Sequence, residues 1–247
     1  MRCSISDILR ASQCVYNWLG YLSKASDNSK LIAESSLKYP FVECLERHSI
    51  NGIHLELSHP LFKGKRIDAY IGSIHDDGTI DEQSTRKIFV EFKFVRGDTL
   101  SKKEQQRYFN DILRLSYLKQ KYPQSDSYLL VCGESDSFNV AFRYEPIISV
   151  DKKIKEDGND ERRMKKKSIY NDWLGFEMKY GEKSVDITKR KYESFVKSFN
   201  EKYLSRKRDG VLAVEKEIQT FSTKLNLMLP SSSSIDNSYS LGLWEIL

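Results

Sequence analysis

The chain has little of what would place it in a specialised class. Its 247 residues include four cysteines, Cys3, Cys14, Cys44 and Cys132, and none stands in a CxxC or at zinc-ligand spacing with a histidine. A disulfide scaffold and a structural zinc module are therefore excluded as readings, and a reduced, cytoplasmic setting is the simplest expectation. The four histidines, His48, His54, His59 and His75, are scattered without an HExxH or HxH pattern, so each reads as structural or exposed. No run approaches the about 20 apolar residues of a membrane span. The stretch MRCSISDILRASQCVYNWLG lacks the apolar segment and small-residue cleavage site of a signal peptide, so no membrane partner is expected. No internal repeat is visible.

What is present is the composition of a globular domain, 39% hydrophobic and 30% charged. At this length a sizeable core can be buried, and aromatics at 12% can supply much of its volume. The formal charge of +5 permits a polyanionic partner without requiring one.

Hydrophobic periodicity predicts the elements. Ile5 to Leu22 and Leu31 to about His48 carry apolar residues at helical spacing, with Pro40 expected to start, kink or split the second helix. Ile53, Leu55 and Leu57 alternate as in a strand. So do Ile67, Ala69 and Ile71, with Asp68 and Tyr70 facing the other way. A third strand, RKIFVEFKFVR, follows a polar loop. A long helix then runs to Pro123, and SYLLVCGE reads as a strand buried on both faces. The order helix, helix, strand, strand, strand, helix, strand predicts an α/β core around a mixed sheet. Further on, a hairpin around Gly181, a basic helix from Thr188 to about Arg206, a helical or extended piece from Val211 to Thr220, and strands at KLNLMLP and YSLGLWEIL are expected. These extend the core rather than form a separate domain. For Tyr108, Phe109, Tyr192 and Phe195, core packing is the better reading than base stacking.

The chemistry concentrates at Asp68, Glu91 and Lys93. Glu91 and Lys93 share one strand face because side chains alternate. Asp68, facing the same way from the neighbouring strand, would bring its carboxylate beside Glu91. Two adjacent carboxylates repel and accommodate a divalent cation, and oxygen ligands suit Mg²⁺. Such an ion activates water and neutralises a scissile phosphate, while a nearby lysine orients the water and stabilises transition-state charge. A solvent-facing ion pair is the plainer explanation of Glu91 and Lys93 taken alone.

With RIDAYI before VEFKF, the chain resembles the PD-(D/E)XK nuclease superfamily, whose fold is the restriction-endonuclease-like α/β core. Its first half-motif is Ile67-Asp68 here rather than Pro-Asp. The resemblance covers about residues 31–133. It implies that Asp68 and Glu91 bind Mg²⁺ (or Mn²⁺), that the Phe92 carbonyl adds a ligand, and that Lys93 assists the water. It also implies a site glutamate on the preceding helix, for which Glu34, in register with Leu37, Phe41 and Leu45, is favoured over Glu43. Gln105 and Gln106 on the following helix would join the water network or a phosphate, and Arg107 would hold a phosphate.

Positive clusters at Arg162, Arg163, Lys165, Lys166 and Lys167, and at Lys189, Arg190 and Lys191, are candidate phosphate contacts. The first lies in a charge-rich insertion at about 151–168, which also reads as a solvated loop. The resulting expectation is a single domain over 1–247, with the core at about 31–133 and a C-terminal α/β extension at about 169–247. Its activity would be Mg²⁺-dependent endonucleolytic hydrolysis, with DNA ahead of RNA. By resemblance alone, a role in restriction or anti-phage defence is suggested, as a homodimer or beside a partner defence protein. The alternative is a catalytically inactive binding or assembly subunit that keeps the fold.

Overall fold

The computed structural model describes residues 3–25, 32–95, 102–142, 182–204, 217–230 and 238–247. Helices α1 (Ile5–Ala25) and α2 (Glu34–Arg47) come first. Strands β1 (Ile53–Ser58), β2 (Arg66–Ile71) and β3 (Ile88–Val95) follow, then α3 (Lys102–Lys121), β4 (Asp126–Glu134) and α4 (Ser135–Phe142). The C-terminal part supplies β5 (Glu182–Asp186), α5 (Glu193–Phe199), β6 (Thr220–Leu229) and β7 (Tyr239–Ile246). A 3₁₀ turn at Arg190–Tyr192 leads into α5, and a π-helical turn at Asn200–Leu204 leaves it.

Among the described residues seven strands form one mixed sheet in the order β1-β2-β3-β4-β7-β6-β5. Among the described strands only β3 and β4 run parallel, and α3 lies in the crossover between them, as a parallel pair requires. The C-terminal strand β7 lies against β4, so the extension continues the same sheet rather than starting another. The chain is thus α/β, a seven-stranded mixed sheet with helices on its faces. Among the described residues no helix is long and apolar enough to cross a membrane.

The two sheet faces bury two sets of side chains, divided by the period-2 alternation of the strands. Ile88, Val90 and Phe92 point toward α1 and α2, where Ile8, Val15, Leu37, Phe41 and Leu45 cover them. Phe41 meets the Phe92 ring edge-on at 5.2 Å. Phe89 and Val95 point the other way, into a cluster with Phe109, Ile112, Leu115, Phe199 and Trp244. Tyr108, Phe109, Tyr192 and Phe195 are all buried there, Phe109 resting 5.4 Å from the Phe195 ring. Opposite Val95 in the β3–β4 ladder stands Gly133, where a Cβ would lie 2.7 Å from the Val95 Cβ.

Three local differences from the sequence reading have physical reasons. Helix α2 runs unbroken across Pro40, since Leu37, Phe41, Cys44 and Leu45 on either side of it are buried and hold the turn against the missing N–H. Ile67 packs on the same face as Tyr70 rather than with Ala69 and Ile71, so the alternation of β2 breaks at Asp68. The expected basic helix is real but short, giving way to the π turn after Phe199. The insertion at 151–168, the first arm of the hairpin expected around Gly181 and most of 211–220 lie outside the described residues. β5 pairs with β6.

Candidate active site

The site begins where β2 and β3 part. Their antiparallel register pairs Ile71 with Ile88, Tyr70 with Phe89 and Ala69 with Val90, and stops there. The next positions are Asp68 and Glu91. Instead of a backbone partner, the Phe92 N–H donates to the Asp68 carboxylate Oδ2 at 2.9 Å. A side chain has replaced the ladder, which fixes the Asp68 carboxylate against β3.

The same break appears on the β1 side. Leu55 pairs with Ala69 and Leu57 with Ile67, but Glu56 and Asp68 between them are unpaired. Glu56 takes a left-handed conformation, φ 55°. For a residue with a Cβ that is a strained backbone, of the kind that persists where the surroundings impose it.

Helix α2 closes the site from one side of the sheet. Glu34 and Lys38 are one helical turn apart and so face the same way. Lys38, almost fully buried, donates to Asp68 Oδ1 at 2.7 Å and also pairs with Glu56. Glu34 accepts from Lys93 Nζ at 3.1 Å. Helix α3 closes it from the other side. Asp111 takes Lys93 Nζ at 2.8 Å, and Arg114 bridges Asp111 and Glu91, the latter at 3.4 Å.

Five carboxylates (Glu34, Glu56, Asp68, Glu91, Asp111) therefore meet four cationic side chains (Lys38, Lys93, Arg114 and, at the rim, Arg66 4.0 Å from Glu56), one negative charge in excess if all ionise. The pair at the centre settles this unequally. Burial, then the Asp68 charge beside it, pushes Glu91 well above the ordinary carboxylate range, against the pull of Arg114. Burial opposes charge on Asp68 as well. There it is outweighed by Lys93, by hydrogen bonds from Glu91 and Lys38, and by the Phe92 N–H, so Asp68 is held below its ordinary range. The two neighbouring carboxyls are thus driven apart, Glu91 upward and Asp68 downward, across the hydrogen bond between them.

Burial also works against charge on Lys93. Asp111, Glu34, Glu91 and Asp68 together overcome it and raise its pKa above the usual lysine value. Lys93 is a fixed ammonium, suited to holding anionic oxygen and unsuited to taking a proton. Glu34 is raised by burial, partly offset by Lys93. Its side chain is still 41% exposed, which makes it the most open carboxylate around Lys93.

Asp68, Glu91, Lys93 and Glu34 thus come together. Glu43 does not; it is exposed and pairs with Arg47 on its own helix at 2.6 Å. The Phe92 carbonyl accepts from Lys93 Nζ at 2.9 Å. Gln106 gives its amide to Asn110 and to the Phe195 carbonyl, tying α3 to α5 rather than facing the carboxylates. Gln105 is partly buried on the same helix. Arg107 is exposed one turn before Asp111, and Lys189, Arg190 and Lys191 are exposed ahead of α5. Arg162, Arg163, Lys165, Lys166 and Lys167 lie outside the described residues.

Sequence reasoning missed Lys38, Glu56, Asp111 and Arg114. A signal existed for the last two, since both interrupt the apolar run FNDILRL at a spacing of one helical turn. Nothing in the sequence marked Glu56.

The donors at the centre are carboxylate oxygens without sulfur or imidazole, a set that suits Mg²⁺ or Mn²⁺ rather than zinc. Among the described residues no three His, Cys, Asp or Glu side chains converge at metal-ligand spacing. Mg²⁺ does not require that, because it binds through one or two carboxylates and keeps several waters. Asp68 and Glu91 are the adjacent carboxylates of the described site, and their pKa values are driven in opposite directions. No protein-family model matches the chain, and no curated protein matches its sequence.

Proposed function

We propose that the protein is a Mg²⁺-dependent nuclease with a restriction-endonuclease-like core, hydrolysing phosphodiester bonds in nucleic acid, with DNA the preferred substrate. The observation that carries this reading is the opening between β2 and β3. There Asp68 is held to the Phe92 N–H beside Glu91, with the Lys93 ammonium on the same strand face. The order α2, β2, β3, α3, β4 supports it as well, since that is the order the resemblance implies.

In this reading Asp68 and Glu91 would hold the cation, which would supply water activation and charge neutralisation on the phosphate. Lys93 is locked by Glu34 and Asp111 and presents a permanent positive charge to the phosphate oxygens and to the attacking oxygen. Because it is firmly protonated, the proton from the water goes elsewhere, and the half-open Glu34 is the acceptor best placed for it. Arg114 and Asp111 position Glu91 and Lys93 from behind. Arg107 on α3 and the exposed Lys189, Arg190 and Lys191 are the described cations suited to backbone phosphates. A role in defence against phage rests on the resemblance alone.

One observation favours a second reading, a nuclease fold serving as an inert binding or assembly subunit. Every carboxylate of the cluster already has a cationic or hydrogen-bonded partner. Thermal melting with added Mn²⁺ separates the two. A nuclease site gives an upward shift that Asp68→Asn abolishes. An inert subunit gives no shift. Parallel incubations with plasmid, single-stranded DNA and transfer RNA in Mg²⁺ identify the substrate class.

A further inference from the structure

Resting on that reading, we propose that Lys38 is the resident counter-ion of the site, and that a divalent cation enters by displacing it from Asp68 onto Glu56. Asp68 has two oxygens. Oδ2 is taken by the Phe92 N–H at 2.9 Å and Oδ1 by Lys38 Nζ at 2.7 Å, so both faces of the carboxylate are engaged. A cation seeking Asp68 cannot disturb the first bond without opening β3. The second is held by a flexible side chain whose tip alone has to move.

A place for that tip already exists. Lys38 also pairs with Glu56, whose side chain is 45% exposed and lies on the outer side of the site. Glu56 reaches Lys38 from a strained backbone in the left-handed region, φ 55°, and on its outer side lies 4.0 Å from the exposed Arg66. Lys38 thus sits between an inner acceptor that the cation needs and an outer acceptor that it does not. Before the cation arrives, the ammonium screens the Asp68–Glu91 pair. After it arrives, Lys38 stays paired at the rim, with no buried charge abandoned.

The test is calorimetric titration of Mn²⁺ into the full chain, without substrate, for wild type, Lys38→Met, Glu56→Gln and the double variant. Thermal melting establishes first that each is folded, and Lys38→Gln replaces Lys38→Met if the latter is not. Removing the competitor tightens Mn²⁺ binding by about tenfold or more, the order by which partners of metal ligands alter affinity. Glu56→Gln alone weakens binding, because the displaced ammonium loses its acceptor. In the double variant that penalty shrinks, since Glu56 acts on the site through Lys38, its other cationic neighbour being the exposed Arg66 at 4.0 Å. Unchanged or weaker binding by Lys38→Met overturns the exchange while leaving the nuclease reading intact. So does a Glu56→Gln penalty that persists undiminished in the double variant. Absence of Mn²⁺ binding in every protein, wild type included, overturns both.

Discussion

Replacing Glu91 by glutamine should stabilise the metal-free protein, and increasingly so as the pH rises. Glu91 is 2% exposed and lies against Asp68; burial, then that neighbouring charge, lifts its carboxyl well above the ordinary value of 4.5. Above that pH the unfolded chain releases the Glu91 proton, while the folded chain retains it until its own higher pKa is reached. The folded state then binds the extra proton, so stability falls with increasing pH across that window. For one group the slope is about 1.4 kcal/mol per pH unit at its steepest. Asp68 is depressed below its ordinary value of 3.8 and contributes nothing to the slope above pH 5. His59, held neutral by burial, titrates alike in both proteins and cancels in the comparison. Urea unfolding in EDTA from pH 5 to 8 measures the effect. The stability difference should widen in favour of Glu91→Gln as the pH rises. Saturating Mn²⁺ should close the gap by stabilising only the wild type. Parallel stability curves in EDTA would refute the upward shift of Glu91.

Other perturbations separate the site from its scaffold. Arg114→Met leaves Glu91 and Asp111 buried without their guanidinium, and should cost about 3–5 kcal/mol in chemical denaturation. Gln106→Ala removes the tie between α3 and the Phe195 carbonyl; it should cost about 1 kcal/mol and leave the turnover of any nucleic-acid substrate unchanged. Glu43→Ala should fall within about 0.5 kcal/mol of wild type and cleave normally, because Glu43 meets only Arg47 on an exposed helix face. Glu34→Ala should lose about 10²-fold or more in cleavage rate, the scale of a missing proton acceptor, with its loss confined to the limb of the pH–rate profile where that acceptor ionises.

The strands and the central trio were legible because their signals are local. Alternation in IFVEFKFV separates Val90 and Phe92 from Glu91 and Lys93 whatever the rest of the chain does, and the two faces of the strand enter two different buried clusters. The choice between Glu34 and Glu43 was also visible, through the register of Leu37, Phe41 and Leu45. Lys38 shares that register with Glu34, yet a lysine on a helix is ordinarily solvated. Only docking of α2 over the β1–β2 break makes it a buried counter-ion. Asp111 and Arg114 acquire meaning only when α3 folds back over β3 as the crossover to β4. Glu56 was illegible because its backbone conformation arises from the interruption of a ladder between strands. The insertion of β7 between β4 and β6 is likewise a pairing across the whole chain. Helix α4 follows β4 without a connecting residue and is only eight residues long, too short to establish a period.

The most direct test of the central claim is the rate of phosphodiester cleavage in supercoiled plasmid by wild type, Asp68→Asn and Lys93→Ala, with Mg²⁺ and with EDTA. Nicked or linear product that requires Mg²⁺ and is lost in both variants is the predicted result. Wild-type protein that is folded, binds no divalent cation and leaves DNA and RNA intact, or variants that cleave as fast as wild type, would contradict it.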